Sequence, residues 1–224
     1  MPDDAAPDDA VPDDAAPDDA ALAVPKTRVL AKHAASLIVW RLQDQEPYML
    51  MGMRGARHRF MPNRLVFPGG RVDPADLTAP VASALPPATM QALRKKAHAK
   101  LAHGLGAAAA RELLEETGLS LGTPPRLDGL HYLARAVTPP GSPIRFNARF
   151  LVVEERHVSG SLGGDGELEA LRFYGMTEAL ALELALPTRR VLERLKTMLA
   201  LPEAERFTQI QTPVLLRDRG WIME

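Results

Sequence analysis

Arg111-Glu112-Leu113-Leu114-Glu115-Glu116-Thr117-Gly118 constrains the fold more tightly than any other stretch of this 224-residue chain. Helical spacing places Glu112 three and four residues before Glu115 and Glu116, so the three carboxylates share one face. Leu113 and Leu114 point elsewhere and fix the helix to a sheet, and Gly118 stops it as a left-handed cap. Three like charges near the negative end of a helix dipole repel one another unless something offsets them. A hard divalent cation does so, since Mg²⁺ takes carboxylate oxygens while keeping water and reaching phosphate. The same residues also suit a solvated acidic helix end.

The surrounding pattern is mixed. Ala35–Leu42 and Tyr48–Arg54 are rich in β-formers and flank a polar turn, which predicts a hairpin. Arg64–Phe67 reads as a short strand broken by Pro68-Gly69-Gly70. Residues 80–88 read as irregular. Thr89–His103 reads as a helix interrupted by Gly104 and Gly106, with a second helix over Ala107–Thr117. Gly129–Val137 and Phe146–Glu154 read as strands, with Leu168–Tyr174 adding a third. Thr177–Ala185 and Pro187–Ala200 read as helices, the second with proline at its first position. Strands, a helix, more strands and terminal helices predict an α/β fold with helices on the faces of a mixed sheet.

Phe67-Pro-Gly-Gly70, then Asp76 after five residues, then Arg111-Glu112-Leu-Leu-Glu115-Glu116-Thr-Gly118-Leu119 closely resembles the Nudix box. That pattern runs Gly, five residues, Glu, seven residues, Arg-Glu-apolar-x-Glu-Glu-x-Gly-apolar. Asp76 stands where the pattern has Glu, and residues 77–110 contain an insertion inside the box. Closure entropy grows slowly with loop length, so an excursion there is tolerable. The long insert resembles a branch of the family that includes peroxisomal coenzyme A diphosphatases. Thr138-Pro-Pro and Arg145-Phe-Asn147-Ala-Arg149-Phe150 are similar to that branch's T-P…R-F-D-T-R-F stretch, with Asn147 at the Asp position. The run from Leu50 through Arg54 and Arg59 to Gly70 is similar to the coenzyme A signature before the box. It departs from that signature at Gly52, Gly55, Asn63 and Leu65.

The resemblance implies the Nudix fold, an α/β/α sandwich with a mixed β-sheet and a catalytic loop-helix-loop. It implies that Glu112, Glu115 and Glu116, with the carbonyl of Gly69, ligate Mg²⁺ or Mn²⁺, and that Arg111 orients a ligand carboxylate. The general base varies within the family; a box glutamate is one candidate, and Glu167 or Glu169 is another. Arg54, Arg59 and Arg149 are the substrate-binding candidates, Arg54 and Arg59 as bidentate partners of phosphate. The implied reaction is hydrolysis of a diphosphate linkage in a nucleoside diphosphate derivative, with coenzyme A or acyl-coenzyme A ahead of ADP-ribose or NADH. A non-catalytic Nudix-fold nucleotide sensor is the alternative, although such a module has no need of all four of Arg111, Glu112, Glu115 and Glu116.

Composition trims the remaining possibilities. Absent cysteine excludes disulfides and thiolate metal sites, and no apolar run approaches bilayer length. A cytoplasmic enzyme with no membrane partner is expected, and a homodimer is compatible with the sequence. The net charge of −1 conceals an asymmetry: eight of the 28 acidic residues and none of the 27 basic ones fall in residues 1–20. Those residues carry a repeat, PDDAA-PDDAV-PDDAA-PDDAA, whose prolines and paired aspartates predict a disordered acidic tail over 1–24 before a domain at 25–224. A solubilising tail and one that folds back over a basic active site are both open readings. The basic run Arg94–Lys100 reads as a solvated helix face, so no nucleic-acid partner is expected.

Overall fold

Alternate residues of the strand Lys32–Gln43 (β1) enter opposite cores, with Ile38 and Trp40 on one side and Leu37 and Val39 on the other. A strand buried on both faces belongs at the centre of a sheet covered by helices. The computed structural model, which describes residues 29–55, 63–164, 166–208, 213–216 and 220–223, places it there. Glu46–Arg54 (β2) returns antiparallel beside β1, as the hairpin reading requires. Leu65–Val66 (β3) pairs with β2, and Gly69–Arg71 (β4) pairs with β1 through Ala35↔Gly70 and Ser36↔Gly69. The Pro-Gly-Gly break is therefore only partial, since the backbone re-enters the sheet one residue beyond Pro68.

The chain next forms a short 3-10 helix over Pro74–Thr78 and the helices Pro87–Arg94 (α1) and Ala99–Thr117 (α2). The minor strand Leu119–Ser120 (β5) precedes His131–Val137 (β6) and Phe146–Glu154 (β7). Ser159–Gly160 (β8), Leu168–Gly175 (β9), Met176–Ala181 (α3) and Leu186–Leu199 (α4) follow. Pro213–Leu216 (β10) and Gly220–Met223 (β11) complete the described elements. The main sheet runs β11-β10-β6-β7-β1-β2-β3, with β9 added to β2 and β4 to β1. It is mixed, because β1–β7 and β10–β6 are parallel and the other pairs antiparallel.

Helix α2 covers one face, with Leu105, Ala109 and Leu113 packed against Leu37, Val39, Leu151 and Val153. Helix α4 covers the other, where Val191, Leu192, Leu195, Met198 and Leu199 form the apolar stripe of an amphipathic helix against Ile38, Met51 and Val152. The result is the expected α/β/α sandwich. Leu114 corrects one expectation: it is 49% exposed, so Leu113 alone anchors this turn to the sheet.

The expected interruption at Gly104 and Gly106 is also corrected. α2 runs through both glycines, and the break lies at residues 95–98, where His98 caps the helix by accepting from the Leu101 N–H at 3.2 Å. A Cβ on Gly104 would sit 2.8 Å from a Leu77 methyl, and one on Gly106 would sit 2.9 Å from Leu127. These glycines permit close packing of residues 72–85 and 127 against the helix. Residues 77–110 thus include α1 and the first three turns of α2, lengthening the acid-bearing helix at its N-terminal end. Among the described residues no helix is long and apolar enough to cross a membrane.

Candidate functional site

The last two turns of α2 carry the acids, and Gly118 ends the helix at φ 73°, the left-handed cap read from the sequence. Glu116 is 3% exposed, and its Oε2 accepts from the Gly69 N–H at 2.8 Å. Burial pushes its carboxyl up to about 8. The Gly69 N–H and the Arg54 charge pull it down, while the charges of Glu112 and Glu167 push it further up. Burial also raises Glu112, against the opposing charge and hydrogen bond of Arg111. One buried and one half-buried carboxylate thus lie one turn apart against the glycine strand, where burial disfavours the charged form of each.

Arg111 organises the exposed side of this cluster. Its Nη1 donates to Glu112 Oε1 at 2.9 Å and to Glu115 Oε2 at 3.1 Å. Nε and Nη2 bind the two oxygens of Asp76 at 3.1 and 3.0 Å, and Nη2 also reaches the Arg71 carbonyl at 3.0 Å. Asp76 itself is buried and accepts from the Asp73 N–H, which ties the 3-10 turn to the helix. This fork-to-fork pairing raises the already high pKa of Arg111, chiefly through the Asp76 hydrogen bond. The sequence marked Asp76 as the box acid and assigned it no partner.

Backbone elements bring the remaining groups in. A side chain at Gly70 would run into the Glu112 carboxylate, so the absence of a Cβ there lets the β4 backbone lie against the acid. Gly163 N–H donates to the Thr117 carbonyl at 2.9 Å, which lays the loop before β9 over the end of α2. Glu167 follows in that loop, exposed, and its charge acts on both Glu112 and Glu116. Leu168 pairs with Arg54, so the next residues of β9 fix the two sides of the site together. Arg54 stands close enough to Glu116 to lower its pKa, and among the described residues its buried Nε has no hydrogen-bond partner.

Not every candidate residue joins the cluster. Arg149 is 1% exposed, with its guanidinium held by His33 Nδ1 at 2.9 Å and by the carbonyls of Asn147 at 2.9 Å and Lys96 at 3.0 Å. Lys96 precedes α2, whereas the acids lie in its last turns; a 19-residue helix spans about 28 Å. Arg149 is thus anchored within the fold through His33, Asn147 and Lys96, and on β7 it stands opposite Ala35 of β1. Arg59 and the acidic repeat of residues 1–24 lie outside the described residues. Glu169, on β9, is exposed opposite Met53.

The donor set suits a hard divalent cation in chemistry: carboxylates held up in pKa beside a glycine backbone. As the side chains stand, no three acidic or histidine side chains among the described residues converge on one point at ligating distance. Glu115, 52% exposed, is turned to Arg111 while Glu112 and Glu116 face β4.

Comparison with known proteins agrees with this architecture. Residues 102–195, from within α2 to within α4 and including Arg111, Glu112, Glu115 and Glu116, match the NUDIX domain family. No curated protein matches the chain. Among solved structures, a NUDIX hydrolase from Alicyclobacillus acidocaldarius is similar with a TM-score of 0.57 at 24% identity, over 73% of this chain and 90% of that one. The NUDIX domain of Shewanella oneidensis NrtR, solved in complex with ADP ribose, is similar with a TM-score of 0.51 at 14% identity, over 79% and 94% of the two chains. These likenesses are of fold.

Proposed function

We propose that this chain, which carries a Nudix domain, hydrolyses a diphosphate linkage in a nucleoside diphosphate derivative with Mg²⁺ or Mn²⁺ as cofactor. One observation supports the reading: half-buried Glu112 and buried Glu116 lie side by side against Gly69 and Gly70, and burial raises the Glu116 carboxyl to about 8. Glu112, Glu115, Glu116 and the Gly69 carbonyl would hold the ion. When bound, it neutralises diphosphate oxygens and acidifies a coordinated water.

The chain's own residues then divide the work. Arg111 holds Glu112 and Glu115 in fixed orientation and is itself fixed by Asp76. Arg54, whose charge acts on Glu116, would bind a phosphate oxygen through its guanidinium. Glu167, exposed and with its charge acting on Glu112 and Glu116, would accept a proton from the attacking water as its oxygen bonds to phosphorus and the bridging P–O bond breaks. Coenzyme A or an acyl derivative is the substrate favoured by the run that carries Arg54 and Arg59 into Phe67-Pro-Gly-Gly70. ADP-ribose is the second reading, favoured by the fold neighbour solved with that ligand. A cytoplasmic location accords with either.

The test is chromatographic detection of monophosphate products from coenzyme A, acetyl-coenzyme A, ADP-ribose and NADH, with Mg²⁺, Mn²⁺ or chelator. Cleavage that needs metal and is lost in Glu116→Gln is the expected result. Silence from folded protein, with ADP-ribose still raising its melting temperature, would replace the enzyme with a nucleotide-binding module.

A further inference from the structure

A second site of opposite charge lies at the other end of α2. A cleft of about 820 Å³ opens between β1, the segment after β4, and the α1–α2 junction. Lys32, Arg71, Arg94, Lys95 and Lys96 line it, and Asp73 is the sole acid among its described lining residues. Arg149 shapes its floor from beneath, donating to His33 Nδ1 on one side and to the Lys96 carbonyl on the other. The field inside is positive: His33 is held below its ordinary range first by burial and then by the charges of Arg149, His98 and Arg135.

We propose that this cleft is the docking site of the chain's own aspartate-rich segment, residues 2–21, held there as a polycarboxylate. Three observations choose this occupant. The segment carries eight aspartates in pairs five residues apart and no basic residue, which complements the cationic lining. It enters the fold at the cleft itself: Arg145 Nη1 pins the Val29 carbonyl at 2.6 Å, and Lys32, three residues on, is part of the wall. Asp19 lies thirteen residues before Lys32, a span of at most about 45 Å when extended, so the tether reaches every part of the cleft. Covalent attachment on such a tether gives an effective concentration of the order of millimolar, enough for weak individual carboxylate contacts to add up.

The docking is electrostatic, so it strengthens as screening falls. It leaves Glu112 and Glu116 uncovered and occupies the surface built by the α1–α2 junction. The cleft adjoins the acidic site where the Arg71 carbonyl accepts from Arg111, but the docking proposed here does not rest on the proposed hydrolysis.

The absence of cysteine makes the test direct, since Ala10→Cys in the full chain carries a single nitroxide label. At about 10 mM ionic strength, where the screening length is about 30 Å, amide signals of residues 71–73 and 94–98 should lose at least about half their intensity relative to the reduced label. The loss should vanish at about 1 M salt, where that length is about 3 Å. It should also vanish when the eight aspartates are changed to asparagine, and in the triple variant Arg94→Ala, Lys95→Ala, Lys96→Ala. Those three side chains are exposed, and the amide spectrum itself reports whether the variant is folded. Unchanged intensities at low salt would overturn the proposal, as would broadening that survives the triple variant or centres on Arg54 and Glu116. Signals that ignore the label but shift on adding ATP would assign the cleft to a free phosphate ligand instead, and would also overturn it.

Discussion

Arg111 grips the buried carboxylate of Asp76 with two donors, Nε at 3.1 Å and Nη2 at 3.0 Å, while its Nη1 holds Glu112 and Glu115. The acid that closes the 3-10 turn and the acids of the helix are therefore coupled through one guanidinium. Asp76→Asn keeps the shape of the side chain but removes its charge and leaves an amide facing the fork. A hydrogen bond to a charged group contributes about 1.5–3 kcal/mol, so denaturant unfolding should show a loss of about 2 kcal/mol. The midpoint should fall with the slope unchanged, and a stability equal to that of the parent would mean that Arg111 is held by its other partners.

Glu116 supplies the pH dependence. Its folded pKa is raised to about 8, first by burial and then by Glu112 and Glu167, above the unfolded value of 4.5. Between those values the folded chain keeps a proton that the unfolded chain has released, so stability is fully present below about 4.5 and declines as pH rises through about 8. Thermal melts in chelator should fall across that window, and Glu116→Gln should flatten the profile. Divalent cation should restore the melting temperature of the parent at the alkaline end and leave Glu116→Gln unmoved. A parent whose melts are level across the window would contradict the burial argument.

Gly70→Ala separates the site from the fold. The added methyl meets the end of the Glu112 side chain, a flexible group that can move aside at small cost to packing. The expected outcome is a fall in kcat/KM of about tenfold or more, equivalent to about 1.4 kcal/mol of transition-state stabilisation, with a melting temperature within a few degrees of the parent. Unaltered turnover would show that Glu112 works from another position.

The parts of this arrangement legible in the sequence are those set by local chemistry. Strand Phe146–Glu154 and the helix stop at Gly118 follow from β-branched composition and from glycine's access to positive φ. The common direction of Glu112 and Glu116 toward β4 follows from their spacing of four on a helix, whereas Glu115 is turned to Arg111. What was hidden depends on contacts between distant segments. Gly104 and Gly106 read as breakers because the leucines packed against them lie up to 27 residues earlier and 21 later in the chain. Asp76 and Arg111, 35 residues apart, gave no sign of their pairing, and neither did Arg149 and its remote partners His33 and Lys96. The cationic cleft is likewise assembled from three separate stretches, of which only Arg94–Lys100 stood out as a run.

One unbroken helix joins the closely packed glycines at one end to the acids at the other, and this fixes an angular phase. Gly104 must face Leu77 and Gly106 must face Leu127, while Glu112 and Glu116 must face β4. Each residue turns an α-helix by about 100°, so adding or removing a single residue between Gly106 and Arg111 would swing the acids away from Gly69 and Gly70 while the glycine contacts stayed in place. The chain can vary in length on either side of α2, but along this stretch it has to keep count.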